Sequence, residues 1–386
     1  MTEVVLKLLF IVLVVAGGML PLITWIERKQ SAVMQDRIGA NRADLMGVTL
    51  LGLLHPAADV LKLFSKEDVV PEGANRLLHL LAPVIAFVPA LLVLAVIPYG
   101  GAYRFGDTTL SLVVADVDWG MLFVFAAGSI ATYGAVIAGW ASNSNWGLLG
   151  SMRASAQMIS YEVTMGLSLV GMFMVAGSLR LPEIAAFQDQ SFRLLGFLLH
   201  MGFVEGETLP FHLDLLRLPM WGIFLQPLGF LLFLTCIMAE NKRPPFDAPE
   251  GESELIAGYH MEYSGMRFGL FYTAEFLEVP VIGAIVATLF LGGWAIPFLS
   301  QETIIAFVAG GFGEGFATGL CLVLHVLCFL TKVAILIWLQ MALRWTLPRF
   351  RYDQVMDLCW KMILPLSILN VFVTGAGILL VEGVIS

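Results

Sequence analysis

The densest chemistry in this 386-residue chain lies in a polar segment between apolar runs, AENKRPPFDAPEGESELIAGYHMEYSG, from Ala239 to Gly265. Glu240, Asp247, Glu250, Glu252, Glu254 and Glu262 place six acids within 23 residues. Carboxyl groups packed together away from bulk water cannot all ionise. They titrate as a coupled set, which suits proton exchange near neutral pH. A solvated, merely acidic loop is the competing reading, and spacing alone leaves both open. Pro244 and Pro245 cannot continue the preceding helix. Asp247 followed by Glu250, with Pro249 between them, has the spacing of a capping box.

Further acids lie inside the apolar runs themselves. Glu162 and Glu275 each fall about seven residues into a run, roughly 10 Å deep at 1.5 Å per residue. Glu278 is one turn beyond Glu275 on the same face. Lys332, in another run, is expected at about the same level. Charge inside a membrane is costly and usually marks a pathway or a buried pair. The alternative for this layer is a structural Glu–Lys pair. His325, deep in the same run as Lys332, reads as a hydrogen-bonded interior residue rather than a ligand.

Composition says what must position these groups. The chain is 59% hydrophobic and 13% charged, with a mean hydropathy of +0.86. A water-soluble protein of this size could not cover that much apolar area, so the class is all-α integral membrane. The net charge of −9 argues against nucleic-acid binding. Runs long enough to cross a bilayer recur eight times, near 4–26, 77–98, 119–140, 155–177, 221–239, 268–292, 317–340 and 360–382. The run from Val4 to Ile26 has no small-residue cleavage site, so no cleavable signal is expected.

Lysine and arginine orient the spans. Fifteen fall on one set of alternate loops, five on the other, and Lys332 lies within a span. The basic side is expected to be cytoplasmic, with both termini outside. The chain then reads as one membrane domain, 1–386. It carries a cytoplasmic loop at 27–76, an extended outer loop at 178–220 and the acidic cytoplasmic loop at 240–267. Within the first loop, His55, Asp59, Lys62 and Lys66 recur at spacings of four, three and four, one face of a helix between Val48 and Lys66. It is too short and too charged to span, so an amphipathic interfacial helix is expected. Cys236, Cys321, Cys328 and Cys359 lie in apolar stretches without a CxxC, and read as small buried hydrophobes rather than metal ligands.

Several long segments resemble the H-subunit family of bacterial NADH–quinone oxidoreductase (respiratory complex I), whose mitochondrial counterpart is NADH dehydrogenase subunit one. They are ERK at Glu27–Lys29 with MQDRIGANR at Met34–Arg42, and HPAADVLKLFSKE at His55–Glu67 leading to ANRLLHLLAPV at Ala74–Val84. GSMRASAQMISYEVTMGLSLVG follows at Gly150–Gly171, then the acidic loop itself, continuing to AEF at Ala274–Phe276. The likeness runs from about residue 8 to 380, apart from the 178–220 loop. There are departures. Gly39-Ala40-Asn41-Arg42 stands where the family usually reads GPNR, Ala43–Met46 is longer than usual, and His55 replaces a common glutamine.

The resemblance implies eight transmembrane helices in a bacterial cytoplasmic membrane. The interfacial helix, span one and span six would frame the mouth of a quinone chamber. Arg28, Arg37, Asp59 and Lys62 would line or support that chamber. Glu162, Glu240, Asp247, Glu250, Glu252, Glu254, Glu262 and Glu275 would form an acidic route into the membrane. Quinone would be the substrate. NADH, FMN and iron–sulfur clusters would belong to partner subunits of the same complex, and no residue of this chain alone would be catalytic. Two other classes compete: the membrane subunit of an energy-converting hydrogenase, and an ion-coupled transporter. The entrance segment and the full PPFDAPEGESE loop favour the quinone enzyme, and no internal repeat supports a transporter.

Overall fold

The computed structural model describes residues 9, 17–106, 108–189, 191–193, 217–249, 251, 257–297, 299 and 301–385. In chain order, α1 is Leu20–Met34, α2 His55–Ser65 and α3 Arg76–Val96. A hairpin of β1 (Ala102–Phe105) and β2 (Thr108–Ser111) precedes α4 (Gly120–Ala141) and α5 (Asn145–Ala176). Then come α6 (Leu181–Gln188), the paired strands β3 (Ser191–Arg193) and β4 (Arg217–Pro219), α7 (Gly222–Leu225) and α8 (Pro227–Glu240). The last elements are α9 (Gly265–Phe290), α10 (Gln301–Phe312), α11 (Glu314–Thr346), α12 (Tyr352–Asp357), a π-helical turn at Leu358–Ile363, and α13 (Leu364–Ile385).

Six helices among the described residues are long and apolar enough to cross a membrane: α3, α4, α5, α9, α11 and the continuous stretch Tyr352–Leu380. The 14-residue α8 is apolar but shorter. Much of the first apolar run lies outside the described residues. α1 nevertheless carries on through Met34, past the end expected at residue 26, so Glu27, Arg28 and Lys29 sit on the helix itself. α5 begins at Asn145, ten residues before its apolar run; the added turns bury Gly147, Gly150, Ser151 and Ala154 and expose Trp146, Leu148, Leu149 and Met152. The extended 178–220 segment contains α6 and ends in β4, while 194–216 lies outside the described residues.

Lipid is as apolar as the side chains, so these helices associate by close packing rather than by escape from water. Small residues permit that approach. A Cβ on Gly134 of α4 would come within 2.7 Å of the Ala86 backbone of α3, and one on Gly139 within 2.4 Å of the Gly147 carbonyl of α5. α9 runs through the middle, and every residue from Val279 to Phe290 is buried. Contacts between distant segments define one polar end of the bundle. Asn75 N–H donates to Ala141 O at 3.1 Å and Phe350 N–H to Pro245 O at 3.0 Å, while Val69 N–H donates to Ser264 Oγ at 2.9 Å.

Lys332 belongs to the other end. Its ammonium donates to the carbonyls of Leu291, Gly293 and Ala295 at 2.7, 2.9 and 2.6 Å, just past the C-terminus of α9. Trp221 faces the same nitrogen, 4.6 Å from its ring centroid. The expected level with Glu275 is therefore not observed: fifteen residues of α9, about 22 Å, separate Glu275 from these carbonyls. Lys332 caps a helix terminus, where unpaired carbonyls and the helix dipole favour a cation. Lys332→Met leaves three buried carbonyls without a charged donor. It should destabilise the subunit by about 3 kcal/mol, read as an earlier thermal unfolding midpoint in detergent. An unchanged midpoint would refute the capping role.

Candidate functional site

The site is built where α8 stops. After Glu240 the chain turns through Asn241 and Lys242, and Pro244 and Pro245 keep it out of a helix. Lys242 adopts φ 53°, a left-handed conformation costing about 1–3 kcal/mol outside glycine, kept only where neighbours over-determine it. Here the neighbours are packing and hydrogen bonds: Lys242 and Asp247 are both buried, at 5% exposure each.

This loop, the start of α9 and the end of α11 enclose a cavity of about 480 Å³. Lys242, Arg243, Arg344 and Arg349 line it together with Asp247, His260 and Glu275, between the rings of Phe268, Phe271, Tyr272, Phe276 and Trp345. Asp247 pairs with Arg349 at 2.5 Å. Tyr259 Oη donates to Glu275 Oε1 at 2.8 Å. Buried Glu27, reaching in from α1, receives Arg243 at 3.4 Å and also binds Arg344, while Arg243 stacks 4.1 Å over Phe276. Burial outweighs the Arg349 guanidinium and pushes the Asp247 carboxyl up to about 6, so it titrates close to neutrality. Burial likewise lowers the basicity of His260. An aromatic-walled chamber with an excess of fixed cations can take a flat, polarisable ligand and stabilise negative charge developing on it.

A second cavity of about 80 Å³ lies deeper between α3, α4, α5, α8 and α9. Glu162, Glu240 and Glu278 face it; the remaining wall is apolar, including Val93, Val124, Met158, Phe233 and Ile285. Ser129 Oγ donates to Glu162 Oε1. One carboxyl oxygen each of Glu240 and Glu278 meets no hydrogen-bond donor among the described residues. The space is large enough for several water molecules. Three carboxyl side chains thus face one small, mostly apolar space.

At the mouth of the polar end, Arg28 on α1 pairs with Asp59 on α2 at 2.5 Å. Lys62 is exposed one turn along, and exposed Arg37 donates to Gln35 Oε1 at 2.7 Å. His55 Nε2 accepts from Arg42 N–H at 3.1 Å and Ala43 N–H at 3.2 Å, so the residue that departs from the family pattern organises the loop before α2. Gly52 is forced by the same packing: its φ is +91°, and a Cβ there would lie 2.0 Å from Ala40 O.

The structure thus brings Glu162 to Glu240, Asp247 near Glu275, and Arg28 to Asp59. Glu262 lines neither cavity and lies near His79, Asp68 and Arg267. Glu250, Glu252 and Glu254, and with them the capping box expected after Asp247, lie outside the described residues. Glu27, Ser129, Lys242, Arg243, Arg344 and Arg349 join the site without a sequence signal that assigns them to it. Glu278 joins the deeper cavity rather than the Glu275 chamber. Only Glu278 carries a signal of its own, a charge one turn along an apolar helix; the arginines read as interfacial anchors. Buried Cys236 and Cys359 both lie within hydrogen-bond reach of Thr164 Oγ1, at 3.3 and 3.7 Å. Among the described residues no group of three or more His, Cys, Asp or Glu is placed to hold a metal ion.

A family described as NADH dehydrogenase matches residues 6–375. The NADH-quinone oxidoreductase H subunit 1 of Cytophaga hutchinsonii is 43% identical over 357 residues, covering 92% of this chain and 91% of the relative. The corresponding H subunit of Thermomicrobium roseum is 42% identical over 366 residues, 95% of this chain and 93% of the relative. The H subunit 2 of the Geobacter sulfurreducens enzyme is 43% identical over 366 residues, 95% and 92%. A match across nearly the whole length, at this identity, means that the chain belongs to the NADH dehydrogenase family.

Proposed function

We propose that this chain is the membrane subunit of an NADH–quinone oxidoreductase that forms part of the quinone chamber and couples quinone reduction to proton translocation. The observation that carries the reading is the stacking of two cavities: a cationic, aromatic one at the polar end, and an acidic one within the bundle. NADH, FMN and the iron–sulfur clusters reside in partner subunits, which dock at the polar end and along the membrane arm. Quinone enters from the lipid beside α2. The exposed Val60, Leu61 and Phe64 on one face of α2, and Asp59 and Lys62 on another, suit a helix lying at the membrane interface. The full architecture is eight spans in a bacterial cytoplasmic membrane. The polar end is cytoplasmic and both termini are outside, following the Lys/Arg bias.

Reduction of quinone adds negative charge to the polar end, where little water screens it. Asp247 and Glu275 answer by taking up protons or shifting against Arg349 and Tyr259. Glu240, at the start of the same loop, passes the change to Glu162 and Glu278. Arg28, Arg37, Asp59 and Lys62 support the entrance, and Glu250, Glu252, Glu254 and Glu262 extend the acidic route.

Asp59→Ala leaves Arg28 without its partner at the entrance and tests the reading. In membrane vesicles containing the assembled complex, NADH-driven quinone reduction should fall by about tenfold. NADH oxidation by a soluble artificial acceptor should persist, because flavin chemistry is remote. Equal loss of both activities in an assembled complex would argue against a quinone role.

A further inference from the structure

Gln157 touches both halves of the site without lining either cavity. It lies on α5, five residues before Glu162, and is fully buried. Its side-chain amide donates to Ala239 O at 2.7 Å and to Phe246 O at 2.8 Å. Each acceptor immediately precedes an acid: Ala239 precedes Glu240 of the deeper cavity, and Phe246 precedes Asp247 of the chamber. One nitrogen therefore clips together the two ends of the turn that separates those acids. Phe350 N–H holds the neighbouring Pro245 carbonyl at 3.0 Å, and the left-handed Lys242 lies inside the clip.

Chemistry explains the residue type. A primary amide donates two hydrogens from one atom, as bridging two carbonyls requires. Glutamate offers at most one hydrogen, methionine none, and asparagine is one methylene too short to reach both. We propose that Gln157 is a positioning residue that fixes the separation of Glu240 and Asp247 and so keeps the chamber and the deeper acid cavity in register. The proposal rests on the reading above that these cavities couple quinone reduction to proton movement. Gln157 touches no substrate; it acts through the backbone of the residues that carry the acids. When charge changes at Asp247, a clipped turn transmits the displacement to Glu240 instead of absorbing it.

The test uses membrane vesicles containing the whole complex, with rates expressed per assembled complex from blue-native electrophoresis. Gln157→Met keeps the volume and removes both donors. It should lower NADH-driven quinone turnover by about tenfold or more, since small misplacements at a reacting centre have effects of that size. The KM for quinone should change by less than about twofold, because the residue contributes no substrate contact. Oxidation of NADH by ferricyanide should be unchanged. Combined with Glu240→Gln, the loss should be no larger than the greater single loss, because both changes break one unit. Gln157→Asn, able to hold one carbonyl, should fall between wild type and Gln157→Met.

An assembled Gln157→Met complex with wild-type turnover overturns the proposal. So does a loss that multiplies with that of Glu240→Gln. If Gln157→Met does not assemble, Gln157→Asn carries the same test. Failure of both to assemble assigns Gln157 a folding role alone and also overturns it. Wild-type vesicles unable to reduce quinone with NADH would instead defeat the functional reading itself.

Discussion

Glu162→Gln should depress quinone-linked turnover and proton translocation together, by on the order of tenfold or more, while NADH oxidation by a soluble acceptor continues. Glutamine keeps the size of the side chain and still offers an oxygen to Ser129 Oγ, the hydrogen bond seen for Glu162. It cannot bind and release a proton in the same way. Glu162→Asp keeps the titratable group and should retain more of both activities. The structure removes the main rival account, a structural ion pair with Lys332, because Lys332 is committed to the carbonyls of Leu291, Gly293 and Ala295. Loss of charge at Glu162 therefore strips no cation of its partner, and the variant subunit should assemble. Blue-native electrophoresis checks that point, and quenching of a pH-sensitive dye in vesicles reads translocation. A Glu162→Gln complex that assembles and pumps at the wild-type rate would sink the assignment.

Arg349→Met should move the pH profile of quinone reduction. Asp247 faces Arg349, Arg344 and Glu275, and burial pushes its carboxyl up to about 6 despite the guanidinium 2.5 Å away. The sign follows directly. Arg349 favours the ionised carboxylate, so its removal raises the Asp247 value further, by roughly one to three units for a close opposite charge. At pH 7 Asp247 is mostly ionised in the wild type and becomes about half protonated or more in the variant. The inflection near pH 6 should shift upward, and Asp247→Asn should abolish it. Stability follows the same linkage. A carboxyl whose value rises on folding favours the folded state below its unfolded value of 3.8 and loses that advantage as the pH climbs through about 6. Identical profiles for wild type and Arg349→Met would exclude Asp247 as the titrating group.

Composition and run length alone determined that this chain is a helical membrane protein. In lipid every backbone polar group must be paired within its own segment, so long apolar runs have few structures available. Sequence also marked the acidic loop, because the adjacent Pro244 and Pro245 cannot both continue the α8 helix and six acids in 23 residues cannot be buried in lipid without cost. The pattern His55, Asp59, Lys62, Lys66 announced the helix now seen at His55–Ser65, since a 3.6-residue period is a local property. Arg28 and Asp59 both read as entrance residues, but their pairing across 31 positions came from the packing of α1 on α2.

Depth and partnership were decided by tertiary structure. Counting from the start of an apolar run puts Glu162, Glu275 and Lys332 in one layer. Helices tilt, begin early and run long, so equal counts are not equal heights. α5 starts ten residues before its run, and Lys332 lies at the far terminus of α9. The acids consequently divide between two cavities, with Glu278 joining Glu162 and Glu240 rather than Glu275. The arginines of the chamber were unreadable for a related reason. A basic residue at the end of a span has the same sequence signature whether it reaches into water or folds back to Glu27 or Asp247. Gln157 carried no signal at all, because a glutamine in an apolar helix acquires its meaning only from the carbonyls of Ala239 and Phe246, more than eighty residues away. Sequence determined which groups this protein can ionise and which of its segments are apolar enough to cross a membrane. Only the packing of the helices decided which of those groups meet, because the pairings join residues distant in the chain and depend on angles and offsets that local periodicity does not encode.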